Sequence, residues 1–265
     1  MRNIEVAVIG EHGYAPGWTV FLARLTQRGH NIKTMHDLKQ EFSKSLSISL
    51  DKPKLVENIA ALPHGTIKRF TPITVAIVGA SRRFLAQART HQVGLTYVSA
   101  SLQYSDYTGK ADFVVPYALI EEDERAYLEH GGQGSVPSDV YLDSCRNSMQ
   151  AYKWIAEVTD NDTAGYAAPQ GLRNILIIQG NHESWMNFIN RRACNRNTTE
   201  TQYVTLRIWE ELLKTDGGKE MFKYAGPDCT HGKCREGKMC CGKPMRQPSP
   251  TEMLDTMFPL IRKES

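Results

Sequence analysis

Asn181-His-Glu-Ser-Trp-Met-Asn-Phe-Ile-Asn-Arg-Arg192 comes shortly after an apolar run, Leu176-Ile-Ile178. The run reads as a buried strand. In the segment after it, Asn181, Ser184 or Trp185, and Asn187-Phe188 recur at three- and four-residue intervals, the spacing of one helical face. Trp185, Phe188 and Ile189 require the helix to pack, so its polar neighbours need partners or a ligand. Side-chain amides carry both a donor and an acceptor, which suits a flat heterocycle. Arg191 and Arg192 are adjacent, so only one of them can easily face the same place as the amides. The plainer alternative is an N-capped helix with ordinary surface amides.

Outward from this point, strand and helix patterns alternate. Ile4–Ile9 and Ile73–Val78, the latter closed by Gly79, read as buried strands. Thr96–Tyr104 reads as a strand or extended segment, and Asp112–Pro116 as a strand stub. Helices are expected over Trp18–Gln27 after the breaks at Gly13 and Pro16, over Lys52–Ala61, and over Glu121–Glu129 before Gly131, Gly132 and Gly134. The strongest helix opens at Pro137-Ser138, with Leu142, Cys145, Met149, Tyr152 and Ile155 on one apolar face. Asn161 and Asp162 are candidate caps, Glu200–Leu213 is a further helix, and Met253–Ile261 packs again. The class is α/β (α+β): one domain over residues 1–225, with a Cys/Gly/Lys-rich extension over 226–265 packed on it.

The 265 residues are 41% hydrophobic and 23% charged, which excludes a disordered body. A formal charge of +3 argues against a duplex-binding surface, although a few clustered cations suffice for a nucleotide phosphate. No run approaches the roughly 20 apolar residues of a membrane helix. Met1–Gly10 resembles a strand and not a leader, so a cytoplasmic protein is expected.

A second polar region runs from Ser81, a candidate N-cap, through Arg82, Arg83, Gln87, Arg89 and His91 to Ser101, Gln103 and Tyr104. If residues 81–92 are helical, Gln87 and His91 share a face, and the three arginines can meet phosphate or a ring carbonyl. A solvated cationic face with a structural His91 is the alternative. Gly10–Gly13 lacks a G-x-G-x-x-G pattern, and there is no G-x-S-x-G turn, H-E-x-x-H helix or Walker loop. Cys145 sits on an apolar face and reads as inert. Cys229, Cys234, Cys240 and Cys241, with His231 among them, could hold zinc, but their spacing is not that of a zinc ribbon, so free or redox-sensitive thiols are expected and no metal is assigned.

These residues resemble the flavin-dependent thymidylate synthase family. Asn181, Asn187 and Arg192 repeat its asparagine–asparagine–arginine spacing, and Thr201-Gln-Tyr with Arg207 is similar to its A-Q-W-E-I-R segment. Pro169 matches the proline of its A-R-x-x-L-P segment, where Gly165 replaces the arginine. His64-Gly-Thr66 resembles its early His-x-Thr element, and Ser81-Arg82 with Gln87 its S-R-x-x-x-x-Q approach. Across the signature R-H-R-x-x-S-x-N-x-x-S-x-R, His91 and Ser101 are retained, while Thr90, Gln92 and Gln103 stand where arginines are expected.

The resemblance implies a twisted mixed β-sheet with surrounding helices. It also implies conversion of dUMP to dTMP using FAD, NADPH and methylenetetrahydrofolate, in a homotetramer with shared sites. His64, Thr66, Gln87, Arg89, His91, Asn181 and Asn187 would hold the cofactor. Arg192, Ser101 and Gln103 would act on the nucleotide, with Tyr104 beside it. The lost arginines leave room for a related C5 hydroxymethylase or a dCMP-directed methylase. A metal-stapled nucleic-acid-binding protein is the non-enzymatic alternative; binding of nucleic acid or a membrane is not expected.

Overall fold

The computed structural model describes residues 1–11, 15–130, 136–244 and 249–262. The Gly13 break and the glycines at 131, 132 and 134 lie outside them. Four strands, β1 (Glu5–Glu11), β2 (Pro72–Ser81), β3 (Leu95–Ser99) and β4 (Arg173–Asn181), form one sheet in the order β1-β2-β4-β3. Helices α1 (Ala15–Arg28), α2 (Met35–Asp51), α3 (Pro53–Ala61) and α4 (Gly65–Lys68) lie between β1 and β2, and α5 (Arg82–Arg89) leads to β3. Next come α6 (Tyr117–His130), α7 (Pro137–Val158) and α8 (Asn161–Ala164) before β4. After it come α9 (His182–Arg192), α10 (Thr199–Leu212), α11 (Gly218–Met221), α12 (Asp228–His231) and α13 (Pro250–Met257).

The expected class, a central sheet among helices, holds. Its strand directions differ from the expectation: every hydrogen-bonded pair is antiparallel, so the sheet is not mixed. Helix α5 carries the chain back so that β2 and β3 run parallel, as in a β-α-β crossover, but β4 enters between them. The β2 strand also outruns its expected end. A bulge between Val78 and Ala80, with Gly79 at φ +81°, lets pairing continue to Ser81. Strand β3 begins one residue earlier than the expected Thr96–Tyr104 segment and ends at Ser99, and Asp112–Pro116 contributes a single bridge, Phe113 to Leu172. Asp160, one residue before the expected caps, accepts from the Thr163 amide at 2.7 Å.

One face of the sheet is core. Val75, Ile77, Leu176 and Ile178 are fully buried with Trp185, Phe188 and Ile189 of α9 and most of α10. Each large side chain so enclosed contributes about 1.5–3 kcal/mol. Trp185 Nε1 donates to the Ile73 carbonyl at 3.1 Å and fixes α9 on β2. Leu142, Met149 and Ile155 pack beside buried Cys145 and Tyr152, as the α7 periodicity requires. Met253, Leu254, Phe258 and Ile261 join the main core.

Among the described residues the other face is left largely uncovered. Ala7 pairs with Ala76, Ala76 with Ile177 and Ile177 with Val98, an apolar row across all four strands. Ile9, Val78, Ile175 and Val98 on that face are exposed.

Buried Gln202 of α10 donates to the Ala193 carbonyl at 2.9 Å and to Asn195 Oδ1 at 2.8 Å, holding the turn that leaves α9. Gln202→Ala removes both donors, and denaturant unfolding is expected to show a loss of about 1–3 kcal/mol; unchanged stability would contradict this role.

Candidate functional site

The site grows from two strand-to-helix junctions. Strand β2 runs into α5 at Ser81, an extended N-cap whose hydroxyl accepts from the Phe84 amide at 3.0 Å. Half-buried Glu200 of α10 accepts from the Ser81 amide at 2.8 Å and from its hydroxyl, which fixes the junction. Strand β4 runs into α9 at Asn181, whose Oδ1 accepts from the Ser184 amide at 3.0 Å and hydroxyl at 2.9 Å. Because β2 and β4 are antiparallel neighbours, these helices start at opposite ends of the sheet and come back over the same face. Their C-terminal ends meet.

Arg192 stands at the meeting. Its Nη2 donates to Thr90 Oγ1 at 2.7 Å and its Nη1 to Asn197 Oδ1 at 3.2 Å, while its buried Nε has no partner. His91 is buried with its ring edge-on to Phe188 at 5.3 Å, and its Nε2 is 3.5 Å from Asn187 Nδ2, a long contact. The Tyr97 hydroxyl donates to the His91 carbonyl. Arg89 donates to Ser99 Oγ at 2.5 Å, tying the end of α5 to β3.

Burial, with Arg192 and Arg191 nearby, draws the His91 pKa down to about 4, so its ring is neutral near pH 7 and offers one donor and one acceptor. Burial pushes Tyr97 up to about 12, against the pull of Arg192. Two helix C-termini stabilise the cations gathered there. A guanidinium with an unused buried N–H, beside an amide and a neutral imidazole, can bind an anionic or carbonyl-rich planar molecule.

The structure brings His91, Asn187 and Arg192 together, with Gln87 and Arg89 in the adjoining turn. Helix α5 stops at Arg89, where Thr90 Oγ1 bonds back to the Gln87 carbonyl at 2.7 Å. Gln87 and His91 therefore do not share a helical face as expected. His64 and Thr66 are exposed at α4, which abuts the first turn of α9: a Cβ on Gly65 would stand 2.2 Å from Glu183 Oε1. Asn181 lies at that same end, about 16 Å of helix from Arg192, and its Oδ1 is taken up by capping.

Ser101, Gln103 and Tyr104 follow the far end of β3, which starts opposite Gly180 and ends opposite Leu176. There the Gln103 amide donates to Ser101 Oγ at 3.1 Å, and Tyr104 is 82% exposed. These three are not brought to Asn181 within one chain. Concavities of about 360 and 380 Å³ open elsewhere, beside Ser81, Arg83 and Tyr141 and beside Val115 and Arg173. Tyr97 and Asn197 carry no motif. The alternation of β3 was the one available signal for Tyr97, since it places Leu95, Tyr97 and Ser99 on the inner face.

Residues 15–216 match the Thy1 family, described as thymidylate synthase complementing protein. The chain is 23% identical over 207 residues to a flavin-dependent thymidylate synthase of Clostridium tetani, covering 72% of this chain and 77% of that one. To the flavin-dependent thymidylate synthase of Geobacter sulfurreducens it is 24% identical over 206 residues, covering 77% and 82%. Thymidylate synthase X from Helicobacter pylori, crystallised with FAD and dUMP, superposes with a TM-score of 0.58 at 16% identity, over 83% of this chain and 98% of that one. That likeness is one of fold.

His182 shares the electrostatic condition of His91. It is wholly buried, edge-on to Phe222 at 5.0 Å, with Nε2 on the Met221 carbonyl, and burial draws its pKa down to about 4. Unfolded histidines charge as pH falls through about 6.5, whereas these stay neutral until about 4. The unfolded chain thus binds more protons in that window, and stability falls as pH drops through it. Each histidine adds up to about 1.4 kcal/mol per pH unit, the more exposed surroundings of His91 giving less. Urea unfolding at stepped pH is expected to show a shallower slope in His182→Gln than in the wild type; parallel slopes would contradict the assignment.

Proposed function

The chain belongs to the thymidylate synthase complementing protein family, and from that premise we propose that it converts dUMP to dTMP as a flavin-dependent thymidylate synthase. When bound, FAD reduced by NADPH would supply hydride, and methylenetetrahydrofolate the one-carbon unit. The observation that carries the reading is the buried Arg192 Nε, a charged donor without an acceptor at the junction of α5 and α9. A pyrimidine carbonyl or phosphate oxygen would complete it.

The residues present fit a flavin and a nucleotide. Asn187 and neutral His91 offer donors and acceptors for a polar ring edge, and Asn181 has its Nδ2 left after capping. Arg89, Gln87, His64 and Thr66 would complete the cofactor's surroundings. Thr90 and Asn197 hold the Arg192 guanidinium in place, so its orientation is set before a ligand arrives. Ser101 and Gln103 would position the nucleotide, with Tyr104 beside it.

Their separation from Asn181 supports a site completed between subunits of a homotetramer. The uncovered apolar rows of the sheet are suited to such contact, because a surface of this kind is stable only when something covers it. No helix among the described residues is long and apolar enough to cross a membrane.

Arg192→Ala is expected to weaken dUMP binding about 10- to 100-fold while the protein keeps its yellow flavin spectrum. Calorimetric titration of flavin-loaded wild type and variant checks this; equal affinities would contradict the role given to Arg192.

A further inference from the structure

Five of the six cysteines, which the proposed reaction does not use, converge on one cavity. Cys194, Cys229, Cys234, Cys240 and Cys241 line a space of about 180 Å³. Cys194 leaves the C-terminal end of α9, while the other four belong to the extension beyond the family match, which ends at residue 216. The extension is already bound to α9 there, since the Gly226 amide donates to Asn190 Oδ1 at 3.1 Å.

One of these sulfurs already accepts a backbone donor: the Gly242 amide donates to Cys240 Sγ at 3.4 Å. Donors aimed at sulfur stabilise a thiolate.

The segment has few other means of holding its shape, chiefly the Arg235–Asp228 ion pair and the His231 contact with the Ala225 carbonyl. From residue 228 to 244 only Thr230 is buried, and the regular structure is limited to α12 and one turn at Gly237–Met239. Chain this poor in apolar contacts keeps a fixed form through a cross-link.

We propose that Cys194, Cys229, Cys234 and one of the adjacent pair Cys240 and Cys241 form a structural zinc site that clamps the extension onto the end of α9. Four soft thiolates in tetrahedral array are a standard donor set for this ion. Among the described residues no three ligand-type side chains form a group that could hold an ion as they stand. Zinc binding would require the lining thiols to draw together, each ligating thiol releasing its proton to solvent. Cys194 is two residues past Arg192, so the clamp also fixes the turn that holds this arginine through Asn197.

The test is elemental analysis of the full chain purified without added metal. About one zinc per chain is expected, falling at least tenfold in Cys194→Ser, Cys229→Ser and the double variant Cys240→Ser/Cys241→Ser. Cys145→Ser, on the apolar face of α7, should keep its zinc. Should a variant fail to fold, the wild type still decides: chelation should expose about four more thiols to a thiol reagent, and cobalt(II) added afterwards should give intense thiolate-to-metal absorption. No zinc in the purified chain and no uptake of added zinc would overturn the site. So would an intact mass and peptide map showing a disulfide among these cysteines, or loss of zinc from Cys145→Ser alone. None of these readouts depends on flavin, nucleotide or turnover.

Discussion

The antiparallel pairing of β2 with β4 is the constraint on which the candidate site rests. Pairing from Pro72 opposite Asn181 to Ser81 opposite Arg173 puts the two helix starts at opposite ends of the sheet. Each strand passes into its helix through a side-chain cap, so neither junction has slack in which the helix could choose another direction. The helices α5 and α9 can then only approach each other, and their last turns bring His91, Asn187 and Arg192 into one place. A parallel pair would have sent both helices off the same end and left these residues apart.

Helix α10 stabilises that arrangement from beneath. Glu200 holds the start of α5 through Ser81, and Gln202 holds the exit of α9 through Ala193 and Asn195. Gln202 is buried and Glu200 half-buried, each worth its desolvation only because its partners are satisfied. The electrostatics follow from the same geometry. Arginines collect at two helix C-termini, where the backbone carbonyls favour positive charge, and burial, aided by Arg192 and Arg191, keeps His91 neutral. The result is a cationic, partly enclosed corner with donors in fixed positions.

The strands and most helices were legible because their apolar positions repeat at the strand or helix period, as in α7 and β4. Helix α2 was not read: its buried positions include Ser45 and Ser49, which do not register as core. Its Thr34–Asp37 capping box was the available signal. Strand direction was hidden because short apolar runs are alike in either orientation, and the insertion of β4 between β2 and β3 joins residues far apart in sequence. At the site, the Asn181–Asn187–Arg192 spacing pointed to a helix, and α9 is that helix. The spacing could not reveal that Asn181 is spent on capping, nor that Ser101, Gln103 and Tyr104 lie beyond the far end of β3. The cysteines were visible as a tail cluster, but the approach of Cys194 to them depends on where α9 ends.

The central claim is that the buried Arg192 Nε–H awaits an oxygen of the nucleotide. The most direct measurement is the ¹H–¹⁵N spectrum of the arginine Nε–H groups in flavin-loaded protein during dUMP titration, with Arg192 assigned by its absence in Arg192→Lys. The account predicts that the Arg192 resonance shifts with saturation and becomes protected from exchange. An Arg192 signal that stays in place while dUMP saturates the protein, or the absence of any dUMP binding, would contradict it.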